Sequence, residues 1–226
     1  MIPISDSPGI RRHTPIVMPL LIVANVVIFL YQLSLGQTAQ GFVMAWGAVP
    51  YEITHAVDIA PRIPVPVYVT LLTSMFLHGG LLHLASNMLF LWVFGDNVED
   101  RMGRGAFLAF YLVCGILAGL TQTAIDASSR VPSIGASGAI AGVLAAYLLL
   151  FPRAQVRTLL LIGIFFTITR ISAIFLIGFW ILLQLLSGLI ALEFGTDQTG
   201  GVAYWAHIGG FVAGLILTKV FYRRRE

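Results

Sequence analysis

Charged side chains are scarce in this sequence. Asp, Glu, Lys and Arg make up 10% of its 226 residues, against roughly 25% in an ordinary water-soluble domain. Hydrophobic residues make up 58%, and the mean hydropathy is +0.91. A soluble fold of this composition would have too few polar residues to cover its surface, so lipid must be its solvent. Cysteine is nearly absent too: the one thiol, Cys114, lies in an apolar run. That excludes an intrachain disulfide and reads as a small buried hydrophobe. No clear small-x-small cleavage site follows the first apolar run, although Arg11, Arg12 and His13 precede it. The run is therefore expected to stay as a first helix. No internal repeat is visible, which speaks against transporters built from inverted repeats.

What the chain does have is apolar stretches near the length of about 20 residues that a membrane helix needs. Six spans are expected, at 16–35, 81–94, 105–125, 134–151, 171–192 and 202–220. Residues 1–15 read as a mobile cytoplasmic tail, 16–222 as one intramembrane domain, and 223–226 as a basic cytoplasmic C-terminus. Residues 36–80 are broken by Pro50, Pro61, Pro64 and Pro66 and read as a long loop with some helix of its own. Arg170 interrupts the long apolar region 158–192, so 158–169 is expected to be interfacial or re-entrant. Of thirteen Lys and Arg residues, this layout leaves only Arg62 and Arg130 outside. The positive-inside rule then puts both termini in the cytoplasm.

Polar side chains inside spans are costly and mark function. Four stand out: His83 and Asn87 in the second span, Ser137 in the fourth and His207 in the sixth. At a rise of about 1.5 Å per residue, Ser137 and His207 each sit ~8 Å below the outer face of a ~30 Å core, with His83 ~12 Å down. Three separate helices thus bring polar groups to one level.

Ser137 lies in Gly135-Ala136-Ser137-Gly138, at a loop-to-helix junction. Flanking glycines permit close approach, and free N–H groups at a helix start stabilise a developing oxyanion. Gly138, Gly142 and Ala146 also form a small-residue packing face, and both roles are expected. His207, in Ala206-His207-Ile208-Gly209-Gly210, has the character of a base for the serine proton. The structural alternative is a histidine bonded to a carbonyl. His83 and Asn87, four apart, share a helix face and suit either oxyanion donation or interhelical hydrogen bonding. His78 reads as lining or capping the loop above.

Taken together, His78, His83 and Asn87, the Gly-Ala-Ser-Gly motif and the Ala-His-Ile-Gly-Gly motif resemble the rhomboid family of intramembrane serine proteases. The likeness extends to Glu99 and Arg101. The resemblance implies an all-α polytopic membrane protein, a six-transmembrane-helix rhomboid-like bundle, acting as a serine endopeptidase on transmembrane segments of membrane proteins. It implies Ser137 as nucleophile and His207 as base, without an acidic third member. His83, Asn87 and the backbone N–H of Ser137 would form the oxyanion hole, and Glu99 and Arg101 a structural polar network. The region before the second span would be a membrane-embedded loop, with the fifth span controlling substrate entry. No cofactor or metal is implied. The expected partners are transmembrane protein substrates and the lipid bilayer, with no nucleic acid. A bacterial-type cell membrane is expected, with the site opening to the extracytoplasmic side. One departure is visible: where some members carry a tyrosine one turn after the serine, this chain has Ala141, so another group must orient His207.

Two other classes are distinguishable. A catalytically silent relative that binds membrane clients would lack the serine or histidine, and both are present. A metalloenzyme or metal transporter would use His78, His83 and His207, but no intramembrane carboxylate or cysteine joins them at that level.

Overall fold

The computed structural model describes residues 1–7, 14–59, 61, 63, 65–163, 165–194 and 201–222. Arg11, Arg12 and Arg62, and the basic segment 223–226, all used in the charge argument above, lie outside the described residues.

Six long helices carry the fold: α1 (Val17–Ser34), α5 (Leu81–Met102), α6 (Arg104–Ile125), α7 (Ser137–Leu150), α8 (Ala173–Phe194) and α9 (Tyr204–Phe221). Short helices α2 (Ala39–Trp46), α3 (Pro50–His55) and α4 (Thr70–Thr73) occupy the loop between α1 and α5, which is therefore partly helical as expected. α7 is the hub. Its Ala- and Leu-rich sequence favours helix, it packs on α5, α6, α8 and α9, and ten consecutive residues from Gly138 to Tyr147 are buried.

Among the described residues four helices, α1, α6, α8 and α9, are long and apolar enough to cross a membrane. A fifth crossing is available if 67–76 and α5, bent by 81° at their break, count as one. α7, at 14 residues, spans only ~21 Å. The chain is thus a polytopic helical membrane protein, with a short serine-bearing helix enclosed by longer ones.

The expected second span stops at Phe94, but α5 runs on to Met102 through the charged segment 96–101. Polar contacts explain this. Glu99 is buried, and its Oε1 accepts the N–H groups of Ile16 and Val17 at 2.8 and 2.9 Å. Its Oε2 accepts Met18 N–H at 2.7 Å. The next residue, Pro19, has no N–H, so the donors orphaned at the start of α1 are satisfied by one remote carboxylate. Arg101 instead places its guanidinium 5.0 Å from the centre of the Phe151 ring, a cation–π contact. Gly103, at φ +86°, then breaks the chain between α5 and α6.

One expectation is refined and one corrected at the end of the molecule remote from Ser137. Residues 158–169, expected as an interfacial or re-entrant segment, are not helical: β2 (Gln155–Ile162) and β3 (Phe165–Ser172) form an antiparallel hairpin pairing Leu159 with Ile168 and Leu161 with Phe166. Its β-branched and aromatic residues favour strand, and Gly163 takes a positive φ of 61° at the turn. Nor is the start of the chain a mobile tail. Ile2–Asp6 forms β1, which adds antiparallel to β2 and gives the order β1-β2-β3. Asp6 anchors that strand, accepting Asn97 Nδ2–H at 2.7 Å and Tyr147 O–H at 2.6 Å.

Candidate active site

Close packing of α7 on α9 sets the site. A Cβ on Gly210 would collide with the carbonyl of Gly138, and one on Gly214 would stand 2.6 Å from Gly142 Cα. Only glycine permits this separation. The approach brings Ser137, the first residue of α7, opposite His207, one turn into α9. Ser137 Oγ lies 2.8 Å from His207 Nε2, although 70 residues separate them. Both side chains are half-buried.

They line a cleft of about 770 Å³, together with His83, Asn87, Trp180 and Gln184. That size falls within the ordinary range of ligand pockets, roughly 300–1,000 Å³. His83 and Asn87 reach it from α5. His83 Nδ1 accepts the N–H of Gly79 at 3.3 Å, so the proton of a neutral ring sits on Nε2 and is free to donate. Asn87 Nδ2 is buried with no partner among the described residues. Leaving such a donor unpaired is costly. Gly135 takes φ +120°, and a Cβ there would meet His83 Cε1 and Nε2 at 2.8 Å. Gly135, two residues before the serine, thus keeps the space in front of His83 open.

The backbone completes the arrangement. Gly135 N–H is tied to Ser74 O at 2.8 Å and Ile140 N–H to Ala136 O at 3.0 Å. Between them, the N–H groups of the first turn of α7 have no helical acceptor, as at any helix start. Asn87 and His83 border the same cleft as this helix start and its first residue, Ser137.

The four side chains singled out from sequence therefore converge on one cleft. His78 does not enter it. It is buried beside His83, ring centres 5.1 Å apart, and its backbone is clamped by Gln32, whose Oε1 accepts His78 N–H at 3.1 Å and whose Nε2–H donates to His78 O at 3.2 Å. Among the described residues no group of three His, Cys, Asp or Glu side chains is placed to hold a metal ion, so the three-histidine alternative lacks a donor set. Sequence reasoning missed Gln184 and Trp180 on α8. Gln184 Oε1 lies 2.7 Å from His207 Nδ1, and the Trp180 ring is centred 5.8 Å from the imidazole. A signal for Gln184 was available: it is an amide between leucines in a largely apolar span.

Comparison with known proteins places this arrangement in context. Over 78 residues, 34% of this chain, it is 47% identical to rhomboid protease GluP of Bacillus subtilis (strain 168), covering 15% of that protein. It is 32% identical over 153 residues to the human mitochondrial presenilin-associated rhomboid-like protein, covering 64% of this chain and 36% of the relative. Rhomboid protein 1, mitochondrial, of Saccharomyces cerevisiae (strain ATCC 204508 / S288c) is 35% identical over 92 residues, covering 39% and 27%. The matches thus cover between 15% and 36% of the length of these relatives. The Rhomboid domain profile matches residues 66–224, which include every side chain of the cleft and well over half of the sequence, and the chain is a member of the rhomboid family.

Proposed function

We propose that this protein is an intramembrane serine endopeptidase that cuts transmembrane segments of other membrane proteins with a Ser137–His207 dyad. The observation that carries the proposal is the 2.8 Å contact between Ser137 Oγ and His207 Nε2 in a cleft that also holds unspent hydrogen-bond donors. Ser137 Oγ attacks the scissile carbonyl carbon while His207 Nε2 takes its proton. The tetrahedral oxyanion is met by His83 Nε2–H, Asn87 Nδ2–H and the N–H of Ser137, a type of stabilisation in which each donor contributes about 3–4 kcal/mol. His207 then gives the proton to the departing amine, leaving an acyl ester on Ser137. Water, deprotonated by the same imidazole, releases the acid and restores the serine. Adjacent base activation allows a serine to act without a third acidic residue.

The substrate must be locally unwound, because a helical peptide bond is shielded by its own hydrogen bonds. Segments carrying Gly or Pro near the cut are favoured for that reason. The protease unit is residues 16–222, embedded in a bacterial-type cell membrane with both termini cytoplasmic and the cleft extracytoplasmic. The distribution of Lys and Arg supports that orientation, and reporter fusions at each terminus test it.

Cleavage of a fluorogenic transmembrane peptide by the purified protein in lipid tests the reaction. Ser137→Ala and His207→Ala are each expected to abolish turnover. Parental rates in both would end the proposal.

A further inference from the structure

We infer that Gln184 is the positioning residue of this site, holding His207 in the one tautomer that accepts the Ser137 proton. The inference rests on the Ser137–His207 reading. An imidazole that acts as a base needs an unprotonated nitrogen facing the nucleophile, and a neutral ring has one such nitrogen on either side. The choice is made by whatever meets the other nitrogen. Here that group is Gln184 Oε1, 2.7 Å from Nδ1. A carbonyl oxygen only accepts, so it places the ring proton on Nδ1 and turns the lone pair of Nε2 toward Ser137 Oγ, 2.8 Å away. The two contacts lie on opposite edges of the ring and fix its rotation as well.

Among the described residues no other group bonds His207 Nδ1. Trp180 and Tyr204 pack around the imidazole, ring centres 5.8 and 6.4 Å away, and limit its tilt without bonding Nδ1. Ala141, buried on α7, offers no ring at all. α8 is otherwise almost wholly apolar, and an amide there is costly unless bonded. A neutral acceptor also suits the setting: it selects the tautomer without placing a charge beside the dyad in a region of low dielectric.

Nitrogen-15 NMR of histidine-labelled protein in lipid nanodiscs, with peptide-cleavage kinetics on the same samples, tests this. The parent is expected to show His207 with protonated Nδ1 and unprotonated Nε2. Gln184→Ala is expected to give mixed tautomers and a kcat lower by about 10- to 100-fold, with KM within about two-fold. Gln184→Glu keeps the acceptor and adds a charge. It is expected to retain most of kcat while moving the acid limb of the pH–rate profile upward by about one unit or more. A merely structural glutamine would not move that limb. His83 and Tyr204, the other titratable groups of the cleft, are the same in every variant. Unchanged tautomer and kcat in Gln184→Ala, or an unmoved limb in Gln184→Glu, would overturn the inference. If the parent itself shows no Ser137-dependent cleavage, the proteolytic reading falls, and the tautomer measurement still decides the link between Gln184 and His207.

Discussion

Gly135 stands so close to His83 that a Cβ at position 135 would lie 2.8 Å from both Cε1 and Nε2 of the imidazole. The glycine is therefore part of the site's geometry, because its missing side chain leaves open the space beside His83 and Asn87.

Gly135→Ala is accordingly expected to push His83 aside and to strain a backbone held at φ +120°. Peptide cleavage should fall by about 10²-fold, the effect of losing one oxyanion donor. Ser137 should still be labelled, at reduced rate, by a fluorophosphonate.

Asn87→Ala removes a buried amide whose Nδ2 has no partner among the described residues. Since no resting bond is broken, thermal stability should change little, while kcat drops by about 10²- to 10³-fold. A variant that loses stability and activity in parallel would instead mark Asn87 as interhelical glue.

Gly210→Ala tests the approach of α9 to α7. The new methyl meets the Gly138 carbonyl, and overpacking of this kind costs about 1–3 kcal/mol. Unfolding in detergent titrations should come earlier, and cleavage should fall further than stability does, because the helices that carry Ser137 and His207 are forced apart.

Glu99→Ala leaves the N–H groups of Ile16, Val17 and Met18 without their acceptor. Hydrogen bonds to a charged group contribute about 1.5–3 kcal/mol each, not additively, so a loss on the order of 3 kcal/mol is expected. Glu99→Gln keeps one carbonyl acceptor and should recover part of it. Thermal unfolding followed by circular dichroism reads both.

Tyr147→Phe removes the O–H that donates to Asp6. Amide exchange should rise across Ile2–Asp6 and stay unchanged in α7, since the edge strand loses an anchor and the helix keeps its packing.

The convergence of Ser137, His207, His83 and Asn87 on one cleft was legible in the sequence because polar residues in apolar helices are conspicuous, and a depth estimate from helical rise put Ser137, His207 and His83 at one level. The helices themselves were legible for the same reason. What escaped had a physical cause in each instance. Residues 158–169 are apolar whether they form helix or strand, and the long-range pairing of Ile2 with Leu159 leaves no local trace. The charged segment after Phe94 looked like a helix end, yet it stays helical because Glu99 and Asn97 find partners more than 80 residues away in sequence. Gln184 left a trace, an amide among leucines, but its link to His207 appears only once α8 is packed against α9.

The amide of Gln32 grips both sides of the His78 peptide unit, and the next residue in the chain offers its N–H to His83. The first helix, which adds no side chain to the cleft, is thereby tied to the His83 ring on α5 through a single peptide unit. On the proposed function, a shift of α1 that freed Gln32 from His78 would loosen the Gly79 N–H and with it the hold on Nδ1 of that ring.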